Sequence, residues 1–204
     1  VEDADGDTDD ATSEDALSVT FLDDGPVADA KADVTALEAS LNETALDAAS
    51  PTSTTILATD IAALFETPDF GADGYATTAE EDAAVTYELS AGSTSTGLYL
   101  AGADTAVAAN EIILVAVTNG DGDVTGYNGL VNGLGATVFS VAIDNDTGLV
   151  TVTQYASLEH AGDGDTGADV DQDLDTVTLD AAGIKVIQTV EDADGDRKST
   201  RLNS

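Results

Sequence analysis

Apolar and polar residues alternate over short stretches of this chain, and a period of two sets one face of an extended strand against a core. Leu17-Ser18-Val19-Thr20-Phe21, Val85-Thr86-Tyr87-Glu88-Leu89 and Leu98-Tyr99-Leu100 read as strands on this ground. So do Thr137 to Ile143, Leu149 to Tyr155, Asp175 to Leu179 and Ile184 to Val190. Ile112 to Val117 is apolar throughout, which predicts a buried central strand. Clusters of Asp, Asn and Gly punctuate the strands, at 23–26, 119–123 and 144–148. Asp144-Asn145-Asp146-Thr147-Gly148 lies between two alternating stretches, so Thr137–Ile143 and Leu149–Tyr155 are predicted to pair as a hairpin. Short strands with Gly/Asp turns predict an all-β fold, an antiparallel β-sandwich of the Ig/cadherin-like kind with at most one short helix. That helix is placed after Thr59-Asp60, read as its cap, with Ile61, Leu64 and Phe65 on its apolar face. Val27 to Ser50 stays open between an Ala-rich helix and short strands at Asp33–Leu37 and Leu41–Thr44.

A second pattern is longer. Val1-Glu2-Asp3-Ala4-Asp5-Gly6-Asp7 recurs unchanged as Val190-Glu191-Asp192-Ala193-Asp194-Gly195-Asp196, an offset of 189 residues. Identity over seven positions at a fixed distance indicates a tandem array with about that period. The chain then holds one full turn of something longer.

Charge changes the picture most. The formal net charge is −36, and residues 1–196 set only Lys31 and Lys185 against 41 acids. Such a surface excludes nucleic acid as a partner, because binding it requires neutralising phosphates with Lys and Arg. Self-repulsion on this scale disfavours the compact state unless bound cations or high salt relieve it. The chain has no Cys, hence no disulfides or thiolate metal sites. No apolar run approaches the roughly 18 residues of a membrane span. Arg197, Lys198 and Arg201 crowd the last eight positions, and Asp196 to Ser204 resembles the translation of a short-read sequencing adapter. Residues 197–204 are therefore read as an artefact that packs on nothing and whose deletion leaves the melting temperature unchanged.

The carboxylates concentrate in loops that could hold a hard cation. Ca²⁺ takes six to eight oxygens at about 2.3–2.6 Å. With Asp3 as the first position of an EF-hand-like loop, Asp5 and Asp7 take the next two ligand positions and Glu14 the last, although Thr8 stands where Gly is expected. Asp192, Asp194 and Asp196 repeat the start of that loop. Asp163, Asp165, Asp169, Asp171, Asp173 and Asp175 form the densest acidic stretch. Alternate residues of an extended strand lie about 6.6–7 Å apart, so one ion would need a curled loop, which Gly162, Gly164 and Gly167 permit. Asp23 and Asp24 could hold an ion at a junction. Against each stands the simpler reading of a solvated turn, in which Asp is common for backbone reasons. The loops at 119–123 and 144–148 read as hairpin turns rather than sites, and His160, the only histidine, as a packed or turn residue.

Several segments in order carry a resemblance: Phe21-Leu22-Asp23-Asp24-Gly25-Pro26, Phe70-Gly71-Ala72-Asp73-Gly74, Phe139-Ser140-Val141-Ala142-Ile143-Asp144, Gly148 to Tyr155, Leu158-Glu159-His160 and Val190 to Asp196. Together they resemble the long tandem repeat of type I-secreted giant bacterial adhesins, the RTX-type large repetitive surface proteins. The chain lacks the Gly-Gly-x-Gly-x-Asp array found near the end of such proteins. The resemblance implies a non-enzymatic, extracellular β-domain strung between a cell-surface anchor and an adhesive tip, with Ca²⁺ as cofactor. It also implies that neighbouring units in the same chain are its partners and that any adhesive ligand is bound elsewhere. The Asp-Ala-Asp-Gly-Asp stretch would be a turn from the last strand of a unit to a closing strand. By that phasing, residues 1–25 close a preceding unit, 26–196 form one unit with its final strand cut off, and 197–204 are the artefact. Two other readings stay open: an acidic surface-layer or cell-wall protein of a halophile, stabilised by bulk salt, and a glycan-binding module.

Overall fold

In the computed structural model, residues 4–8, 20, 24–43, 46, 50–72, 74–159, 179 and 183–201 are described. Nine strands run through them: β1 (Thr52–Ile56), β2 (Val85–Ala91), β3 (Ser95–Tyr99), β4 (Glu111–Thr118), β5 (Val124–Val131), β6 (Thr137–Ile143), β7 (Val150–Gln154), β8 (Ile184–Glu191) and β9 (Arg197–Arg201). Six form one sheet in the order β1-β7-β6-β5-β4-β3, and three form a second in the order β2-β8-β9. Every pairing is antiparallel. The predicted all-β class therefore holds, and β6 and β7 are neighbours, Phe139 opposite Gln154 and Ile143 opposite Val150.

The two sheets are joined where β2 packs on β5 and β6. Tyr87 and Leu89 of β2 and Val190 of β8 share one buried cluster with Ile112, Phe139 and Val141 of the larger sheet. Burying such side chains contributes about 1.5–3 kcal/mol each. A directional bond crosses between the sheets, the Tyr127 hydroxyl accepting from the Ala91 amide at 3.0 Å, and within the smaller sheet Gln188 Nε2 donates to the Tyr87 hydroxyl at 3.3 Å.

The structure departs from the sequence reading at several points. Among the described residues there are two short α-helices, not one: α1 (Ala58–Ala62) and α2 (Thr78–Ala83). The N-cap of α1 is Leu57, without a side-chain bond, so Thr59 and Asp60 lie inside the helix. The unpredicted α2 opens on a full capping box between Thr77 and Glu80. From Val27 to Ser50 neither the helix nor the short strands form among the described residues. Instead Val27 and Ala30 make single antiparallel bridges to Asp69 and Phe65. β4 is not buried on both faces: Ile112 and Leu114 point inward, while Val115 and Val117 are each 40% exposed. It lies one strand from the sheet's edge, and only one of its faces meets the second sheet. β1 and β5 escaped the alternation test. β5 contains Gly126 and Gly129, which weaken a strand signal; a Cβ on Gly129 would lie 2.4 Å from the ring of Phe139, its cross-strand partner. The predicted strands at Leu17–Phe21 and Asp175–Leu179 lie outside the described residues except for Thr20 and Leu179.

The expectation that residues 197–204 pack on nothing is corrected for Arg197–Arg201. These residues are β9, paired with β8 from Glu191↔Arg197 to Ile187↔Arg201. The reason is physical: an open edge of β8 offers unpaired backbone donors and acceptors, and any extended chain held beside it by a tight turn can satisfy them. Arg197 adds an ion pair to Glu191. The Glu191 hydrogen bond, then its charge, then the charges of Asp123 and Asp121 raise the guanidinium's pKa. Among the described residues, no helix is long and apolar enough to cross a membrane.

Candidate metal centre

The turn between β8 and β9 is built by one aspartate. Asp192 donates its amide to the Asp196 carbonyl at 3.0 Å, and Gly195 donates back to the Asp192 carbonyl at 3.2 Å. The Asp192 carboxylate caps the turn from inside, its Oδ1 accepting from the amides of Asp196 at 2.8 Å and Gly195 at 3.1 Å. Gly195 holds φ +98°, a left-handed angle that Gly adopts without strain. Only 1% of Asp192 is exposed, and its second oxygen, Oδ2, is buried with no hydrogen-bond partner. One carboxylate oxygen from each of Asp192, Asp194 and Asp196 lies within 4.8 Å of the others. Burial works to raise the pKa of Asp192; a hydrogen bond shared with Asp194 and the amides of Asp196, Gly195 and Asp194 outweigh it, so the group sits below the usual aspartate range.

A second turn follows the same backbone path. Between β4 and β5, Asn119 donates its amide to the Asp123 carbonyl at 3.0 Å, and Gly122 donates to the Asn119 carbonyl at 3.4 Å. Asn119 Oδ1 accepts from the amides of Asp121 and Asp123 at 3.0 and 2.9 Å. Gly122 has φ +97°. Asn119-Gly120-Asp121-Gly122-Asp123 aligns with Asp192-Ala193-Asp194-Gly195-Asp196, identical at the last three positions, with Asn119 against Asp192 and Gly120 against Ala193. At the first position the side chains differ in kind: Asn119 Nδ2 donates to Asp123 Oδ2 at 2.9 Å, closing the loop on itself. At the equivalent place the β8–β9 turn carries Asp192 Oδ2, an oxygen that cannot donate.

Two further segments meet this turn. The Tyr75 hydroxyl donates to the Asp192 carbonyl at 2.7 Å, and its ring packs edge-on against Phe70. Burial, then the charges of Glu191, Asp192 and Glu80, raise the Tyr75 pKa and keep the hydroxyl a donor. Residues 24–31 run beside residues 64–71, held by mutual bonds between Val27 and Asp69 at 2.7 and 3.1 Å and by Lys31 to Leu64 at 2.9 Å. That alignment brings Gly25 beside the turn: a Cβ there would lie 3.8 Å from Asp196 Oδ2. Asp24 lies against Gly71, where φ is +66° and a Cβ would stand 2.2 Å from the Asp24 carbonyl oxygen.

Of the residues chosen from sequence as metal ligands, Asp192, Asp194 and Asp196 are brought together. The segment carrying Asp24 lies next to them. Asp5 and Asp7 flank Gly6, whose φ of +94° matches that of Gly195. Asp3, Glu14, Asp23, Asp163, Asp165, Asp169 and Asp171 lie outside the described residues, as does His160. Sequence reasoning gave no role to Tyr75 or Gly71; the only hint was that Gly71 belongs to a segment of the adhesin resemblance. The turns at 119–123 and 144–148 are hairpin turns as expected, linking β4 to β5 and β6 to β7.

No curated protein and no solved structure matches this chain. A family model does match it, over residues 38–203, a span that takes in both turns and all nine strands. The protein belongs to the family described as a domain of unknown function, DUF5801.

Proposed function

We propose that this chain is a structural spacer repeat of a large secreted bacterial surface adhesin, made rigid by Ca²⁺ in its acidic loops and serving adhesion and biofilm formation through parts of the protein outside this segment. The observation that carries the reading is the recurrence of one turn at both ends of a period. Val1–Asp7 and Val190–Asp196 are the same seven residues, and Gly6 and Gly195 share a left-handed φ of +94° and +98°. A unit that ends on the turn with which the chain starts is suited to head-to-tail repetition.

The charge supplies the mechanism. Where Ca²⁺ is scarce, 41 acids against five bases oppose compaction, which suits export of an unfolded chain. Where Ca²⁺ is plentiful, ions that bind only the folded state add about 2.7 kcal/mol per site at a hundredfold excess over Kd. A chain of two consecutive periods tests this by small-angle scattering. Its maximum dimension should approach twice that of one period in millimolar Ca²⁺, and should not do so in NaCl of equal ionic strength. Equal extension in both salts would favour the bulk-salt reading instead.

A further inference from the structure

We propose that Asn132-Gly133, at the tip of the β5–β6 hairpin, is a site of covalent self-modification, where the Gly133 nitrogen displaces the Asn132 amide and leaves aspartate or isoaspartate behind. Nothing in this rests on the spacer or cation readings above. The chain has three Asn-Gly pairs, at 119–120, 128–129 and 132–133. Glycine carries no side chain to shield its nitrogen, so any of the three could cyclise in an open chain. The fold separates them. Asn119 is held at both polar atoms: Oδ1 accepts from the amides of Asp121 and Asp123, and Nδ2 donates to Asp123 Oδ2. Asn128 lies within β5 between Val115 and Ser140, and Gly129 between Leu114 and Phe139, so ring closure there would break the ladder on both sides. The Asn132 side chain is exposed and makes no hydrogen bond among the described residues.

The hairpin itself demands this pair. Asn132 and Gly133 both have positive φ, +50° and +69°, and Asn-Gly takes such a reversal readily. One main-chain bond guards the nucleophile, Gly133 N to Leu130 O at 3.0 Å. At a hairpin tip such a bond opens locally, without unfolding the sheet. Charge favours the same place. Attack needs the glycine nitrogen as an anion, which a neighbouring carboxylate opposes. Gly120 is followed directly by Asp121, whereas residues 124–143 contain no charged residue, in a chain of net charge −36. The step balances. The Gly133 N–H proton passes to hydroxide, the nitrogen bonds to Asn132 Cγ, the Cγ–Nδ2 bond breaks, and ammonia leaves with a proton from water. Water then opens the cyclic imide at either carbonyl. The product carries a new negative charge, and its isoaspartate form adds a main-chain carbon to a turn closed by Leu134 N to Val131 O at 2.9 Å. The β5–β6 hairpin therefore ages chemically while the other two pairs are kept.

The full chain is incubated in mildly alkaline buffer, folded or in guanidinium chloride, then digested and read by mass spectrometry. Each pair reports conversion by the mass gained on amide loss, and electron-transfer fragmentation tells isoaspartate from aspartate. In the folded chain Asn132 should convert at least tenfold faster than Asn119 and Asn128, and in denaturant the three should agree to within about threefold. Asp123→Ala frees Asn119 Nδ2, so it should speed conversion at Asn119 at least threefold and leave Asn132 unchanged. Conversion at Asn119 or Asn128 as fast as at Asn132 in the folded chain would overturn the site. So would a folded Asn132 that stays intact while the denatured chain converts. No gain at Asn119 in Asp123→Ala would overturn the lock on that pair. A tenfold lead for Asn132 that persists in denaturant would assign the ranking to local sequence and overturn the role given to the fold.

Discussion

The β4–β5 and β8–β9 turns share their main-chain bonds and differ in their first side chain, Asn119 in one and Asp192 in the other. Asn119 closes its turn with a hydrogen bond to Asp123, and that turn is complete as a piece of protein. Asp192 stands at the corresponding position, and its Oδ2 is buried with no hydrogen-bond partner. The locations differ in step with the chemistry. The self-contained turn joins two adjacent strands of the six-stranded sheet, where β4 to β7 follow one another in space as in sequence. The acidic turn lies in the three-stranded sheet, whose members β2 and β8 come from opposite parts of the chain. Both turns are local hairpins of low loop entropy; the β8–β9 turn also meets Gly25 and Tyr75, which lie far from it in sequence. The lesson is that one set of main-chain bonds is finished from within by an amide in one turn and leaves a carboxylate oxygen without a hydrogen-bond partner in the other.

The comparison breaks most severely at Gly71. Ala there meets the Asp24 carbonyl at 2.2 Å and requires a left-handed backbone. We expect Gly71→Ala to cost about 3 kcal/mol in urea unfolding, since the first segment can no longer seat. The converse exchange, Asn119→Asp, should turn the closed turn into a second acidic one. In chelator it should lose about 1–2 kcal/mol, the value of a partly exposed charge-assisted bond, and Ca²⁺ should return most of it. Ending the chain after Asp196 removes β9. We expect a loss of about 1–2 kcal/mol from the unpaired β8 edge, measured by thermal melting; an unchanged melting temperature would restore the artefact reading's view of the tail as inert. The smallest effect lies at a turn with no cation role. Asp144 Oδ1 accepts from the Thr147 hydroxyl and amide, both at 2.8 Å, and these bonds, the side-chain one first, lower its pKa. A lowered pKa gives stability that is full above the unfolded aspartate range and lost as pH falls through the folded value. Asp144→Ala should therefore cost about 0.5–1 kcal/mol at neutral pH, and the gap should close in acid, with no dependence on Ca²⁺.

In the larger sheet β6 and β7 were legible because they alternate, β4 because it is an apolar run, and the turns because they carry Asn, Asp and Gly where tight reversals need them. β6 matched its predicted span, and β7 and β8 nearly so. β5 was hidden because the glycines that make room for Phe139 and its neighbours erase the strand pattern. β9 was hidden because its partner's backbone, not its own sequence, makes it a strand. α2 could have been read from Thr77 and Glu80, a spacing that signals a capping box. At the candidate site the three aspartates were visible as a spaced triplet. The buried state of Asp192, the hydroxyl of Tyr75 and the approach of residues 24–25 arise from contacts between distant segments, which no local spacing encodes. The likeness of the Asn119 turn to the Asp192 turn was present in the sequence all along, but only the shared main-chain bonds make the exchange of Asn for Asp meaningful.

The central claim is that Ca²⁺ held by acidic loops, and not screening, makes the unit rigid. It is tested most directly at the β8–β9 turn, by melting the wild type and Asp192→Asn in CaCl₂ and in NaCl at equal ionic strength. Screening depends on ionic strength alone, whereas coordination depends on which ion is present. In NaCl the Asn variant should melt higher, because its amide closes the turn as Asn119 does. In millimolar Ca²⁺ the wild type should gain several degrees more than the variant and overtake it, so that the order of the two proteins reverses. If the Asn variant remains the more stable protein in both salts by the same margin, the Asp192 turn is a site of simple repulsion and binds no structural ion.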